Sequence, residues 1–250
     1  MSGGEQRIST TLDCNEQAIR DLLGDSNDVI HRDFVCGYGG GLEGLMVYVS
    51  GLSDSDKIER MTGQLLQLTN PPFSQPPTGM GPLLDLLETV LASSEFSLSG
   101  DLKQVIDSIL SGETAVFLAG ENRAILLDTR SGEGRSISEP KAESEVRGPK
   151  DGFVENMGQN IALVRRRLRD PRMRVETVQV GLRTSTNVAL IYMKGLAADS
   201  LVAEVYKRLD RIELDGVLGS GYLEEMIKDS PLSLFSLLLS TERPDRVTAN

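Results

Sequence analysis

The sequence predicts an α/β chain of the α+β kind, with two lobes that each carry a small mixed sheet and packed helices. Three observations predict this class. The 250 residues exceed the usual ~100 to 150 residues of one domain. Apolar residues make up 39% and charged residues 25%, as in a packed globular protein. A strand-strand-helix order also occurs twice along the chain, which indicates an internal duplication.

The first copy of this unit follows a short helix. An asparagine cap and a glycine stop delimit an amphipathic helix over Asn15–Leu23. Val29–Cys36 and Leu45–Val49 are rich in apolar and β-branched residues, so they predict two strands that a glycine-rich turn connects. Ser53 then offers an N-cap for a helix with an apolar residue every three to four positions.

The middle of the chain predicts an extension of the first sheet and then a linker. Helices are expected at Leu83–Leu91 and Leu102–Leu110, after a proline-rich loop. Thr114–Ala119 and Arg123–Asp128 form a predicted hairpin that extends the sheet. Ser131–Lys150 lacks an apolar period and predicts the linker, which places the boundary near residue 140 and gives lobes of 1–140 and 141–250.

The second copy has the same element order. Strands are predicted at Val175–Gly181 and Val188–Lys194, and a helix at Asp199–Ile212 with the apolar stripe Leu201, Val205, Leu209 and Ile212. Aligning Gly195 with Gly51 gives an offset of 144 residues, the difference between 195 and 51, which also aligns apolar residues along both second strands. The alternative is two unrelated apolar strands that match by chance.

Composition excludes several classes of function. The net charge of -11 repels a polyanion, and an aromatic content of 4% without tryptophan removes base-stacking platforms, so no nucleic acid partner is expected. Two cysteines are too few for a disulfide framework. The longest apolar-rich run, Leu232–Leu239, is shorter than the ~20 residues that cross a bilayer, so the chain as given is expected to be soluble.

Catalytic motifs are weak, and we expect no enzyme, cofactor or metal site. Gly39–Gly44 matches GxGxxG, but it leads into a strand instead of the helix that a dinucleotide needs. His31 is the single histidine and lies in a predicted strand without a nucleophile elbow. The carboxylate pairs Asp54/Asp56 and Glu224/Glu225 are expected at helix starts or on solvated faces.

The strongest charge feature is an arginine cluster at the end of a predicted helix whose apolar stripe is Phe153, Met157, Ile161, Val164 and Leu168. Internal or solvated pairing is one interpretation, with the linker residues Glu139, Glu143 and Glu145 as partners. An acidic partner protein and an anionic lipid surface are the others. The cluster consists of Arg165, Arg166, Arg167, Arg169, Arg172 and Arg174.

Several sequence blocks together resemble the A subunits of GerA-type bacterial spore germination receptors. The resemblance extends over nearly the whole chain and includes RGP-x-x-GF at 147–153, Arg165-Arg-Arg-Leu168, Ser220-Gly-Tyr-Leu-Glu-Glu225 and Thr241-Glu-Arg-Pro-Asp245. Ser50, Lys150 and Ser236 depart from the residues that the family often has there.

The resemblance implies a role in nutrient-triggered germination, in which the A subunit acts with B and C subunits and the B subunit usually binds the germinant. It also implies attachment to the spore inner membrane, this domain facing the spore core, with other A subunits as further partners. We expect the domain to couple germinant sensing to receptor activation and ion release. The alternative is a two-lobed module that binds a small-molecule germinant or an ion in a cleft with a hinge. The candidate interface and coupling residues are Arg147, Glu155, Arg165, Arg166, Arg167, Glu224, Glu242, Arg243 and Asp245.

Overall fold

A computed structural model describes residues 6–36, 41–66, 95–132, 151–212, 214–216, 219–229 and 238–249. The chain divides into two compact units. The predicted boundary near residue 140 and most of the predicted linker lie outside the described residues, so the boundary stays a prediction. Unit 1 comprises Met1–Gly24, Asp28–Arg135 and Arg169–Pro171, and unit 2 comprises Asp25–Asn27, Ser136–Leu168 and Arg172–Asn250.

Unit 1 contains a five-stranded sheet in the order β1-β2-β4-β5-β3, and every neighbouring pair in it is antiparallel. The predicted hairpin is confirmed as β4 and β5, and β4 pairs with β2 as expected. Strand β3 was not predicted, and the predicted helix at Leu83–Leu91 lies outside the described residues. The elements are α1 (Leu12–Leu23), β1 (Val29–Cys36), β2 (Leu42–Val49), α2 (Ser55–Leu66), β3 (Phe96–Ser99), α3 (Leu102–Ser111), β4 (Thr114–Leu118) and β5 (Ala124–Leu127).

The core of unit 1 forms around β4 and β5, which are apolar at every position except Thr114. All residues of β4 and β5 are buried, as continuous apolar strands require when both faces of the sheet are covered. Phe34 and Gly44 face each other across β1 and β2. A Cβ atom on Gly44 would lie 2.3 Å from Cζ of Phe34, so this glycine makes room for the aromatic ring. The last glycine of the GxGxxG match therefore has a packing role.

Unit 2 is built on a two-stranded antiparallel sheet with helices on both faces. The predicted stripe of α4 packs with Val175 and Ile191 on one face. Val180 packs with Leu209 and Ile212 on the other, because successive strand residues point to opposite faces. Leu201 was predicted in that second cluster, but its side chain is 60% exposed. The elements are α4 (Met157–Arg167), β6 (Met173–Val180), β7 (Thr186–Met193), α5 (Asp199–Asp210), α6 (Ser220–Ile227) and α7 (Pro244–Ala249).

The two units repeat one arrangement of elements, as the sequence alignment predicts. Strands β6 and β7 and helix α5 begin 144 residues after β1, β2 and α2 respectively. The strand register is the same, because Val29 pairs with Val49 and Met173 pairs with Met193. The glycines that follow β2 and β7 have φ angles of 82° and 83°, a left-handed conformation that favours glycine.

The predicted α+β class with two sheets and packed helices is confirmed, with one difference in the sheets. Mixed sheets were expected, but every strand pairing in the described residues is antiparallel. Short connections account for this in the pairs of successive strands, β1–β2, β4–β5 and β6–β7, since a parallel pair needs a longer crossover. Among the described helices, none has the length and apolar character needed to cross a membrane.

Candidate functional site

The candidate coupling residues fall on neighbouring elements of unit 2, apart from Arg147, which lies outside the described residues. Three arginines are on α4, Glu155 lies just before that helix, and Glu224 is on α6. Their side chains differ in exposure. Glu155 and Glu242 are exposed, whereas Arg166 and Glu224 are half-buried. The side chains of Arg165 and Arg243 are 0% and 3% exposed.

The two most specific sequence blocks meet at a backbone hydrogen bond. The N–H of Phe153 donates to the carbonyl oxygen of Glu242 at 2.8 Å. Phe153 also packs against the apolar cluster between α4 and the sheet, and α7 packs against α4. The end of the first block and the turn before α7 therefore form one junction.

An ion pair between a buried arginine and a half-buried aspartate lies beside this junction. The guanidinium of Arg243 contacts both carboxylate oxygens of Asp245, with Nε–Oδ1 at 3.1 Å and Nη2–Oδ2 at 2.5 Å. The backbone N–H of Arg243 donates to Oγ1 of Thr241 at 3.1 Å. The hydrogen bonds from Arg243 lower the pKa of the Asp245 carboxyl, and the charge of Arg167 contributes in the same direction. The Thr241–Asp245 block thus contains an ion pair and a side-chain hydrogen bond within its own turn.

One arginine near the end of α4 forms an ion pair within unit 2. Arg167 forms an ion pair with Asp151 and donates from Nη1 to the carbonyl oxygen of Leu163 at 3.2 Å. The predicted linker partners Glu139, Glu143 and Glu145 lie outside the described residues. For this residue the interpretation as an internal ion pair is therefore supported.

The most buried arginine takes part in the attachment of a short segment to β6. Nη1 of Arg165 donates to the carbonyl oxygen of Met173, and Nη2 donates to Oγ of Ser26, both at 3.3 Å. The same hydroxyl oxygen accepts from the backbone N–H of Val175 at 2.8 Å. Asn27 continues the pairing, because its N–H donates to the carbonyl oxygen of Val175 at 2.8 Å. Burial of Arg165 is therefore structural within unit 2.

A polar groove of about 540 Å³ lies in unit 2 and was not predicted. At its centre, the carboxylate of Glu176 on β6 accepts hydrogen bonds from the hydroxyl groups of Tyr192 on β7, at 2.5 Å, and of Tyr206 on α5. Asp25, Asn27, Arg174, Thr177 and Lys194 complete the lining. The sequence signal that could have indicated this groove is Glu176. It is a charged residue on the same face of β6 as Val178, and a helix covers that face.

The environment of Glu176 raises the pKa of both phenols. Its hydrogen bond, together with burial, raises the pKa of Tyr192 to about 12. Burial is the larger cause for Tyr206, whose pKa is raised further, and the hydrogen bond to Glu176 adds to it. Both phenols therefore act as hydrogen-bond donors to Glu176 at neutral pH.

The residues considered for catalysis have ordinary structural surroundings. His31 lies on β1, with Nδ1 3.5 Å from Oε1 of Glu16 and a side chain that is 7% exposed. Within the described ranges, no group of three histidine, cysteine or carboxylate side chains could hold a metal ion. Asp54 caps α2, where its carboxylate accepts from the backbone N–H groups of Asp56 and Lys57. That position is the helix start expected for this acidic pair.

Comparisons with known proteins give consistent results. A family model described as Bacillus/Clostridium GerA spore germination protein matches residues 17–250. Spore germination protein KA of Bacillus subtilis is 31% identical over 97% of this chain and 44% of its own length. Spore germination protein GerLA of Bacillus cereus is 32% identical over 93% of this chain and 46% of its own. The chain thus spans about half the length of the curated relatives that it matches.

A solved structure is also similar. The crystal structure of the N-terminal domain of the A subunit of the Bacillus megaterium spore germinant receptor GerK3 matches with a TM-score of 0.73 and 28% identity. The match covers 98% of this chain and 89% of that one. A relative without an assigned role, the uncharacterized membrane protein YfkQ of Bacillus subtilis, is 33% identical over 98% of this chain and 46% of its own.

Proposed function

The chain belongs to the GerA family of spore germination proteins, and from this premise we propose that it couples germinant sensing to activation of a nutrient receptor. In this proposal it is part of an A subunit at the spore inner membrane and faces the spore core. Its partners are the B and C subunits and further A subunits. Coupling proceeds through subunit contacts and leads to ion release.

The observation that carries the proposal is the junction between Phe153 and Glu242. The backbone hydrogen bond joins the turn before α7 to the segment that leads into α4, and α7 itself packs against α4. Helix α4 in turn packs on the sheet of unit 2 through Ile161 and Val164. A displacement of α7 would therefore move α4 and the sheet as one body, because packed elements of this kind transmit motion rigidly.

The candidate residues have two roles in this proposal. Arg165, Arg167, Arg243 and Asp245 hold the junction and the sheet together from inside unit 2. Four other members, which are exposed or half-buried, contact other subunits, and they are Glu155, Arg166, Glu224 and Glu242. Arg147 keeps its proposed contact role as a sequence-based prediction.

We further propose that the chain acts without chemistry of its own. Two observations support this. His31 lies on β1 beside Glu16 with a buried side chain, which is an unsuitable position for a general base that must reach a substrate. The GxGxxG match ends at Gly44 inside β2, where the glycine accommodates Phe34.

A charge reversal on the exposed surface tests the coupling role. Glu242→Lys leaves the backbone hydrogen bond from Phe153 in place and changes only an exposed side chain. In spores that carry this variant in the complete receptor, we expect germination at least tenfold slower and less B and C subunit recovered with the A subunit. Glu59→Lys, at an exposed position of α2, is the matched control. Normal germination and normal recovery of both subunits with Glu242→Lys would contradict the proposal for this residue.

A small-molecule binding module is the second candidate function, and the groove beside Glu176 is the observation that favours it. Calorimetry of the chain against a panel of germinants separates the two functions. Heat of binding that Glu176→Gln abolishes would support a binding module. Absence of heat for every germinant would favour coupling.

A further inference from the structure

Three side chains in the groove, Glu176, Tyr192 and Tyr206, offer hydrogen-bond acceptors but no free donors. Both phenolic protons are used, because the hydroxyl groups of Tyr192 and Tyr206 each donate to one carboxylate oxygen. A carboxylate oxygen accepts about two hydrogen bonds, and a phenolic oxygen still accepts one after it has donated. The three side chains therefore present acceptors alone to anything that enters between them.

Such a cluster recognises a group that carries several donors and a positive charge. We propose that Glu176, Tyr192 and Tyr206 form a binding site for the ammonium or guanidinium group of a lysine or arginine side chain on a partner protein. The two tyrosine rings add to the attraction, since a cation close to an aromatic face is stabilised by the ring quadrupole. The carboxylate supplies the opposite charge.

The internal repeat indicates that the cluster is not a requirement of the fold. At the offset of 144 residues, the positions in unit 1 that correspond to Glu176, Tyr192 and Tyr206 hold Arg32, Tyr48 and Thr62. Unit 1 forms the same strand pair and the same helix without a carboxylate at that place. Glu176 and Tyr206 are therefore additions specific to unit 2.

The shape and charge of the groove favour a protein segment over an enclosed small molecule. Asp25, Asn27, Thr177 and Lys194 on its rim are exposed, whereas small-molecule sites usually bury most of the ligand. The Lys194 ammonium is bound to Asp199, with Nζ–Oδ1 at 2.8 Å, which reduces its repulsion of an incoming cation. Arg174, also in the lining, suits an acidic residue next to the basic one on the partner segment.

This inference rests on the proposed function, because the partner segment would belong to another subunit of the receptor. It differs from that function in scope, since it names one site and one chemical group. A basic side chain from a neighbouring subunit would join β6, β7 and α5 at a single carboxylate. Binding of that subunit at the groove would then act directly on the sheet of unit 2.

Blocked amino acids test the site in the 250-residue chain. Acetyl-arginine amide and acetyl-lysine amide are titrated while amide chemical shifts are followed by NMR, with uncharged acetyl-norleucine amide as the control. We expect saturable shifts at Glu176, Tyr192 and Tyr206 with both cationic probes and none with the control. Equal shifts with acetyl-norleucine amide, or no shift with either cation, would overturn the proposal.

Variants distinguish the contribution of the Glu176 carboxylate to binding from that of the tyrosine rings. Glu176→Gln should weaken binding of the cationic probes at least tenfold, while Arg32→Gln, at the corresponding exposed position of unit 1, should leave it unchanged. Tyr206→Leu removes one ring and should weaken binding of the cationic probes about two- to fivefold. This variant tests the proposal if Glu176→Gln does not fold. Unchanged binding in the folded variant would overturn the proposal.

A zwitterionic probe distinguishes a protein segment from a small molecule as the ligand. Tighter binding of free zwitterionic L-alanine than of the blocked cations would overturn the protein-segment proposal in favour of a small-molecule site. The titration uses the chain alone, so its failure would leave the coupling role standing. Conversely, normal germination of Glu242→Lys spores would leave binding of the probes at Glu176 unaffected.

Discussion

Asn15 and Asn160 make the same two hydrogen bonds in the two units. Oδ1 of Asn15 accepts from the N–H of Ser9 at 2.8 Å, and its Nδ2 donates to the carbonyl oxygen of Ser9 at 2.8 Å. Asn160 does the same with Val154, at 2.8 Å and 2.6 Å. Each asparagine thus holds the backbone six residues upstream against its own helix, and the repeat extends to the helix before each strand pair.

Removal of either asparagine is expected to destabilise its unit. Asn15→Ala and Asn160→Ala each leave a backbone donor and an acceptor without their partner, which should lower the free energy of unfolding by about 1–3 kcal/mol. Urea denaturation measures the change. Gln159→Ala, at an exposed neighbouring position on α4, should change it by less than about 0.5 kcal/mol. Equal effects at Asn160 and Gln159 would contradict the assigned role.

The Arg243–Asp245 pair should make part of the stability depend on acid pH. Arg243 lowers the pKa of Asp245 in the folded state, so this contribution is present above the unfolded value of about 4. It is lost as the pH falls through the lowered folded value. Urea denaturation at a series of pH values from neutral to acid should show a smaller acid loss in Asp245→Asn than in the native chain. At neutral pH, Asp245→Ala should lower the free energy of unfolding by about 1–3 kcal/mol, because the buried Arg243 guanidinium loses two hydrogen bonds. Parallel acid profiles would refute the pairing.

Tyr192 should ionise at an unusually alkaline pH. Its pKa is raised to about 12, first by the hydrogen bond to Glu176 and then by burial. A raised folded pKa contributes stability that is complete below the unfolded value of about 10 and is lost as the pH rises toward 12. Ultraviolet titration of the phenolate should detect this tyrosine as a late step, and Tyr192→Phe should remove it. Glu176→Gln should move the step to lower pH, and an unmoved step would contradict the stated cause.

Two glycines should respond in opposite directions to alanine. A Cβ atom on Gly44 would lie 2.3 Å from the ring of Phe34, so Gly44→Ala should destabilise unit 1 by about 1–3 kcal/mol through overpacking. Gly63 lies inside α2 with no atom within 4 Å of the added Cβ, so Gly63→Ala should stabilise by about 0.5–1 kcal/mol. Thermal unfolding of both variants measures the contrast. If Gly44→Ala stabilised the chain, the predicted clash with the Phe34 ring would be wrong.

Local patterns in the sequence were sufficient for most of the element order. The predicted stripe of α4, from Phe153 to Leu168, is the set of residues that packs on the sheet. The offset between the two copies follows from turn glycines and apolar periods, which depend on neighbouring residues alone. Strand β3 was not predicted because it has four residues and the first two are exposed, so it lacks an apolar pattern. It is a strand because it pairs with β5.

The candidate site was predictable as a region but not in its contacts. The blocks around Phe153 and Thr241–Asp245 are specific in sequence, yet their meeting through a backbone hydrogen bond depends on how α7 packs against α4. Arg165 reads as a surface charge at a helix end, and its burial beside Ser26 arises from contacts more than a hundred residues apart in sequence. Likewise, Glu176 acquires its tyrosine partners from β7 and α5 only after the sheet and helix have packed.

The sequence by itself determined the repeated strand-strand-helix order, the turn glycines at 51 and 195, and the family to which the chain belongs. The tertiary structure decided which copies of a repeated residue are covered. Leu52 and Leu196 occupy equivalent positions after these glycines, but Leu52 is 4% exposed and Leu196 is 72% exposed. The physical reason is that β4 pairs beside β2 and the chain around Gly112 and Ser131 lies against Leu52. The conformation of each turn depends on local residues, whereas the burial of the leucine beside it depends on which distant parts of the chain pack against it.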